Sequence, residues 1–121
     1  MIEIIIAALV GIIGGIFSGL TPGVHTNLLA TLLLSISPFL LAYTSPIALS
    51  VLIVSMAITH TFLNVLPAVY LGAPDSEGKI LSVLPGHRML LQGKGYEAVT
   101  LTVLGSFLAV ILGIIITPIL L

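Results

Sequence analysis

The sequence predicts an all-α integral membrane protein, a polytopic bundle with broken or re-entrant helices. Three observations carry that prediction. Of 121 residues, 59% are hydrophobic and 6% are charged, with a mean hydropathy of +1.36; a soluble domain carries about 25% charged residues. No charged residue falls between Glu3 and Asp75, and none follows Glu97, which leaves apolar runs long enough for helical spans. Proline and glycine then cut those runs at Pro22-Gly23, Pro38, Pro46, Pro67 and Pro85-Gly86. An interrupted helix in a bilayer frees N–H and C=O groups that lipid cannot satisfy. Such breaks persist only where protein or a polar cavity receives them.

The expected layout is one membrane domain, 1–121, with spans at about 2–20, 28–43, 47–71 and 98–121 and a polar insert at 72–97. Ile2 to Leu20 is about 28 Å long as a helix, close to the roughly 30 Å hydrocarbon thickness. It lacks the basic region and cleavage site of a secretory signal and reads as a retained span. Ala7, Gly11, Gly15 and Gly19 recur every four residues, so one face lets another helix approach closely.

Gly19-Leu20-Thr21-Pro22-Gly23-Val24-His25-Thr26-Asn27 follows, polar but uncharged, between two apolar runs. Proline removes a donor and glycine loosens the helix, so the chain should break here. Thr26 or Asn27 then caps a new helix from Leu28. That helix, to Tyr43, is short and meets Pro38; it suits either a distorted crossing or a re-entrant half-helix. Thr44-Ser45-Pro46 reads as a turn, with Pro46 near the start of the next helix. The third span carries His60 and Asn64 on one face, one turn apart, and Pro67 should end or kink it. Two roles compete for His60: an interhelical hydrogen bond, or substrate and proton handling.

Six of the seven charged residues lie between Gly72 and Glu97. The insert opens with a polar turn, Gly72 to Lys79, and its middle, Ile80 to Leu91, is too apolar for a solvated loop and too short to span. A re-entrant or interfacial hairpin is expected. Gly93-Lys94-Gly95 is a turn, not a phosphate loop, because no strand precedes it. Ala98 to Leu121 closes the chain with a second small-residue stripe, Gly105, Ala109 and Gly113. Pro22-Gly23 and Pro85-Gly86 each precede a histidine within two residues, a hint of the paired broken elements of transporter repeats.

Gly19-Leu20-Thr21-Pro22-Gly23 resembles the glycine-proline-glycine signature near the start of the large membrane subunit of tripartite tricarboxylate transporters. Leu84-Pro85-Gly86-His87-Arg88, with Gln92-Gly93-Lys94-Gly95-Tyr96-Glu97-Ala98 and Gly105-Ser106, is similar to that subunit's second signature. The likeness is closest to the archaeal branch and covers nearly all of the chain as an N-terminal portion. It implies an ion-driven secondary transporter for carboxylates with two related halves, served in bacterial systems by a small membrane subunit and an extracytoplasmic binding protein. Val24-His25-Thr26-Asn27 and Pro85 depart from the usual signatures, which bears on citrate as substrate and on the auxiliary proteins.

The expected function is therefore an ion-coupled carboxylate transporter subunit in the cell membrane, multi-pass, with an anion site at 19–27. The candidate substrate-binding residues are Gly19, Thr21, Pro22, Gly23, His25, Thr26, Asn27, His60, Asn64, Pro85, Gly86 and His87. A half-helix starting near Asn27 presents its N–H groups and positive dipole end to an anion. Sodium or protons are the candidate coupling ions; no other cofactor and no metal is expected. The expected partners are the lipid bilayer, a small carboxylate, and the remaining half of a transporter or another copy of the chain. A net charge of −1 argues against nucleic acid. No His-Glu-x-x-His or Gly-x-Ser-x-Gly supports an enzyme. The alternative is a structural or regulatory membrane subunit without transport activity of its own.

Overall fold

The computed structural model describes residues 1–74 and 80–120, and among these every regular element is a helix. Seven are defined: α1 (Ile2–Leu20), α2 (Thr26–Ser35), α3 (Ser37–Leu40), α4 (Pro46–Leu63), α5 (Val65–Leu71), α6 (Ile80–Leu91) and α7 (Gly95–Leu120). The polar turn expected over Gly72–Lys79 is described only to Pro74, and Asp75 to Lys79 lie outside the described residues. Three stretches are long and apolar enough to cross a membrane: Ile2–Leu20, Pro46–Leu71 and Gly95–Leu120.

The small-residue stripe of α1 is a packing face. Ala7, Gly11, Gly15, Ser18 and Gly19 are its buried positions. A side chain begun at Gly11 would run into Ser55 and the Leu52 carbonyl. One at Gly15 would lie 2.6 Å from the Met56 carbonyl oxygen and from Thr59 Cβ, and one at Gly19 2.9 Å from Leu63 Cβ. At the other end of α1, the Glu3 carboxylate accepts from Thr44 Oγ1 at 2.8 Å and from the Ser45 N–H at 2.6 Å. Ser45 in turn caps α4, its Oγ accepting from the Ala48 N–H at 3.2 Å. Contact positions on the two helices advance together from Glu3/Ser45 to Gly19/Leu63, so α1 and α4 run parallel.

Two parallel neighbours need a return between them. The chain from Thr21 to Thr44 therefore travels back along the whole length of α1, as α2, the short α3 and a turn. α2 begins at Thr26, with His25 as the N-cap and no side-chain cap bond. The expected cap at Thr26 or Asn27 is thus displaced by one or two residues, because the Pro22-Gly23 turn ends early enough for Thr26 to enter the helix.

Proline sets the other interruptions. Pro67 cannot donate to the carbonyl of Leu63, four residues back, and the helix breaks next to that residue, at Asn64, before resuming as α5. Pro38 falls in the first turn of α3, just past the break at Ile36. Pro85 is carried inside α6. Gly72, at φ +63°, ends α5 in the left-handed conformation.

The middle of the expected polar insert is helical. α6 packs between α5 and α7, and the core of this half is Val65, Val69 and Ala98 with Met89, Leu90 and Val99 against them. Gly93, at φ +78°, reverses the chain. Its N–H reaches the Leu90 carbonyl at 2.9 Å and the Lys94 N–H reaches that of Met89 at 2.8 Å, the paired bonds of a Schellman cap. α7 accordingly starts at Gly95, three residues before the expected Ala98. It runs antiparallel to α4 and α5, with Gly95 beside Tyr70 and Ser106 facing the same cavity as Thr61. The second stripe is not a packing face among the described residues: nothing lies within 4 Å of a side chain begun at Gly105 or Gly113.

Candidate functional site

The candidate residues fall into three places. Gly19, Thr21, Pro22, Gly23, His25, Thr26 and Asn27 form the turn from α1 to α2. Pro22 and Gly23 occupy the centre of a β-turn closed by the Val24 N–H on the Thr21 carbonyl at 3.4 Å. Gly23 has φ +81°, the value that Pro-Gly supplies at the third position of a type II turn. The Thr21 hydroxyl donates to the Phe17 carbonyl at 2.7 Å. Pro22, Gly23, His25 and Asn27 are exposed, while Thr21 and Thr26 are half-buried.

His60 lies below this turn, inside the α1–α4 contact. It is 2% exposed, as is Ser18, and its Nδ1 is 3.1 Å from Ser18 Oγ. The Ser18 hydroxyl also reaches the Gly15 carbonyl at 3.3 Å. Either the Nδ1–H donates to the Ser18 oxygen or the Ser18 hydroxyl donates to a bare Nδ1, according to the tautomer. This is the interhelical bond weighed from sequence for His60. On the α1–α4 register, the end of α1 and the interruption at Asn64 stand at the same level.

The third place lies across the α4–α5 bend. Asn64, Pro85 and Gly86 come together on the wall of a cavity of about 400 Å³, with Thr61, Thr102 and Ser106 as its other polar residues. His87 is turned aside: its Nδ1–H donates to the Val69 carbonyl at 2.8 Å and its ring lies 3.4 Å from where a Gly72 side chain would begin. That bond satisfies one of the carbonyls left open at the end of α5. Gly86 allows α6 to approach Val69, whose Cγ2 would be 3.1 Å from any added Cβ. The resemblance of Pro22-Gly23 and Pro85-Gly86 as paired elements is not carried into structure, since the first pair makes a turn and the second lies within a helix. Thr102 was missed from sequence, because α7 is apolar all round and no periodicity singles out a face.

Residues 5–121 match the tripartite tricarboxylate transporter TctA family. The chain belongs to that family. This TctA-family chain is also 39% identical over 110 residues to an uncharacterized protein of Methanocaldococcus jannaschii, an alignment covering 90% of this chain and 26% of that protein. The chain thus spans about a quarter of the length of that relative. No solved structure matches it.

Proposed function

We propose that this TctA-family chain is the N-terminal portion of an ion-coupled secondary transporter for small carboxylates in the cell membrane, and that Gly19–Asn27 receives the anion. The left-handed Gly23 turn carries the reading: it ends α1 and opens α2 amid exposed, uncharged polar groups. The first N–H groups of a helix have no partner within it and lie at the positive end of its dipole, so they attract an anion. His25 and Asn27 flank them, so no full cation need be placed in the membrane. His60 and Asn64 stand near this level on the adjoining helix. Pro85, Gly86 and His87 enter the reading as the support of the facing α5–α6 hairpin. Carbonyls freed at the helix ends suit sodium, and the histidines suit protons, as the coupling ion. The remaining half of the transporter, or a second copy, completes the bundle, with the family's other components as further partners.

Uptake into proteoliposomes holding the chain together with the rest of the transporter tests this, with sodium and proton gradients applied separately. Gly23→Val abolishes uptake, because a β-branched residue resists positive φ; nothing among the described residues lies within 4 Å of the new Cβ, so the effect is conformational. Asn27→Ala weakens binding about fivefold. His25→Ala flattens the pH dependence between about 5 and 8. Full uptake by a folded Gly23→Val protein overturns the site.

A further inference from the structure

The geometry points to a second site, in the cavity between the α4–α5 bend, α6 and α7, that takes a small uncharged organic molecule carrying an N–H or O–H donor beside a carbonyl. It shares Asn64, Pro85 and Gly86 with the wider transport reading but none of the Gly19–Asn27 turn that receives the anion there, and it stands without it. At about 400 Å³ the cavity falls in the range that holds small ligands. Its walls are mostly apolar: Val65, Ala68, Val69, Val83, Met89 and Leu101 among them. No described residue on the wall is charged or a histidine. An anion entering it would be desolvated without a counter-charge, whereas a neutral polar group needs only hydrogen bonds.

The polar residues set which hydrogen bonds are on offer. The Thr61 hydroxyl donates to the Ala57 carbonyl at 2.8 Å, and the Thr102 hydroxyl donates to the Ala98 carbonyl at 2.9 Å. Each proton is committed to its own helix, so what each oxygen has left for a neighbour is a lone pair. Pro85, on the α6 wall, has no N–H to give. Ser106, half-buried on the α7 wall, combines donor and acceptor. The lining is therefore weighted toward acceptors, with limited donor capacity. That composition suits a molecule whose own donor meets the threonines and whose carbonyl meets Ser106. A carboxylate, which only accepts, matches it poorly. Two sources supply the required chemistry, a primary amide or a carboxylic acid in its protonated form.

Ligand-observed NMR titrations on the full chain in detergent decide the matter, with butyramide, butyric acid and methyl butyrate as probes. Butyramide binds with an affinity that does not change between about pH 5 and 8. Butyric acid binds only as the pH falls through the ordinary carboxyl range, near 4 to 5. Methyl butyrate, with a carbonyl but no donor, binds several-fold more weakly than the amide. Thr61→Val and Thr102→Val each weaken butyramide about fivefold, the loss of one hydrogen bond. Thr102→Ser keeps the acceptor and the binding. Thr100→Val, whose wild-type hydroxyl bonds the Tyr96 carbonyl away from the cavity, leaves binding unchanged. Should butyramide fail to bind, or the anion at pH 8 bind as tightly as the amide, the inference is overturned. It is equally overturned if the ester matches the amide, or if both valine variants bind butyramide unaltered.

Discussion

At the scale of single residues, glycines of identical chemistry have opposite consequences here. Gly15 faces a backbone carbonyl and a threonine at 2.6 Å, while Gly105 faces open space among the described residues. Gly15→Ala should therefore destabilise the chain by about 1–3 kcal/mol through overpacking, and Gly15→Leu should disrupt folding outright. Gly105→Ala should be neutral or gain up to about 1 kcal/mol of helix propensity. Thermal unfolding and elution in detergent read both, and an unaltered Gly15→Leu transition would refute the packing face. The His60–Ser18 bond is best measured by a double-mutant cycle with Ser18→Ala and His60→Ala. A coupling of about 0.6 kcal/mol is expected, the average for polar contacts between membrane helices, and a coupling of zero would make the contact incidental.

At the scale of elements, the legible features were those with a local cause. Pro67 announces a break within the preceding turn, Pro22-Gly23 announces a turn, and a four-residue glycine spacing announces a close helix contact. Features that depend on register between distant segments were not legible. Nothing around His87 indicates that its partner is the Val69 carbonyl, and Thr102 joins Thr61 and Asn64 only once α7 has folded back on α4 and α5. Ile80–Leu91 is helical, with neighbours on α5 and α7 packed against its apolar side. The Gly93 cap tests this level of organisation. Gly93→Ala should cost about 1–2 kcal/mol, since alanine resists the left-handed conformation. The effect should appear as faster hydrogen exchange at the Gly93 and Lys94 amides, with the α1–α4 contact untouched.

At the scale of the whole molecule, the parallel α1–α4 pair defines two ends. Glu3 and Ser45 mark one. The Pro22-Gly23 turn, Gly72 and the α6–α7 turn mark the other, which also holds Arg88 and Lys94. Basic residues favour the cytoplasmic side, so the Glu3 end should lie outside. Tyr43→Cys should react with an impermeant thiol reagent applied externally, and Pro22→Cys should not. The reverse pattern would invert the topology. Labelling of both from outside would mean that the segment between α1 and α4 does not cross.

The same parallel pairing has a consequence for biosynthesis. The partner of Gly19 is Leu63, roughly 44 residues later in the chain. At a synthesis rate of about 5–20 residues per second, that separation corresponds to roughly 2–9 s. During this interval α1 has emerged from the ribosome with its groove of glycines unfilled, because α2 and α3 contribute no buried residue and do not stand in for α4. The first helix must wait for the third stretch of chain before its surface is occupied, and any helix already resident in the membrane competes for the groove until then.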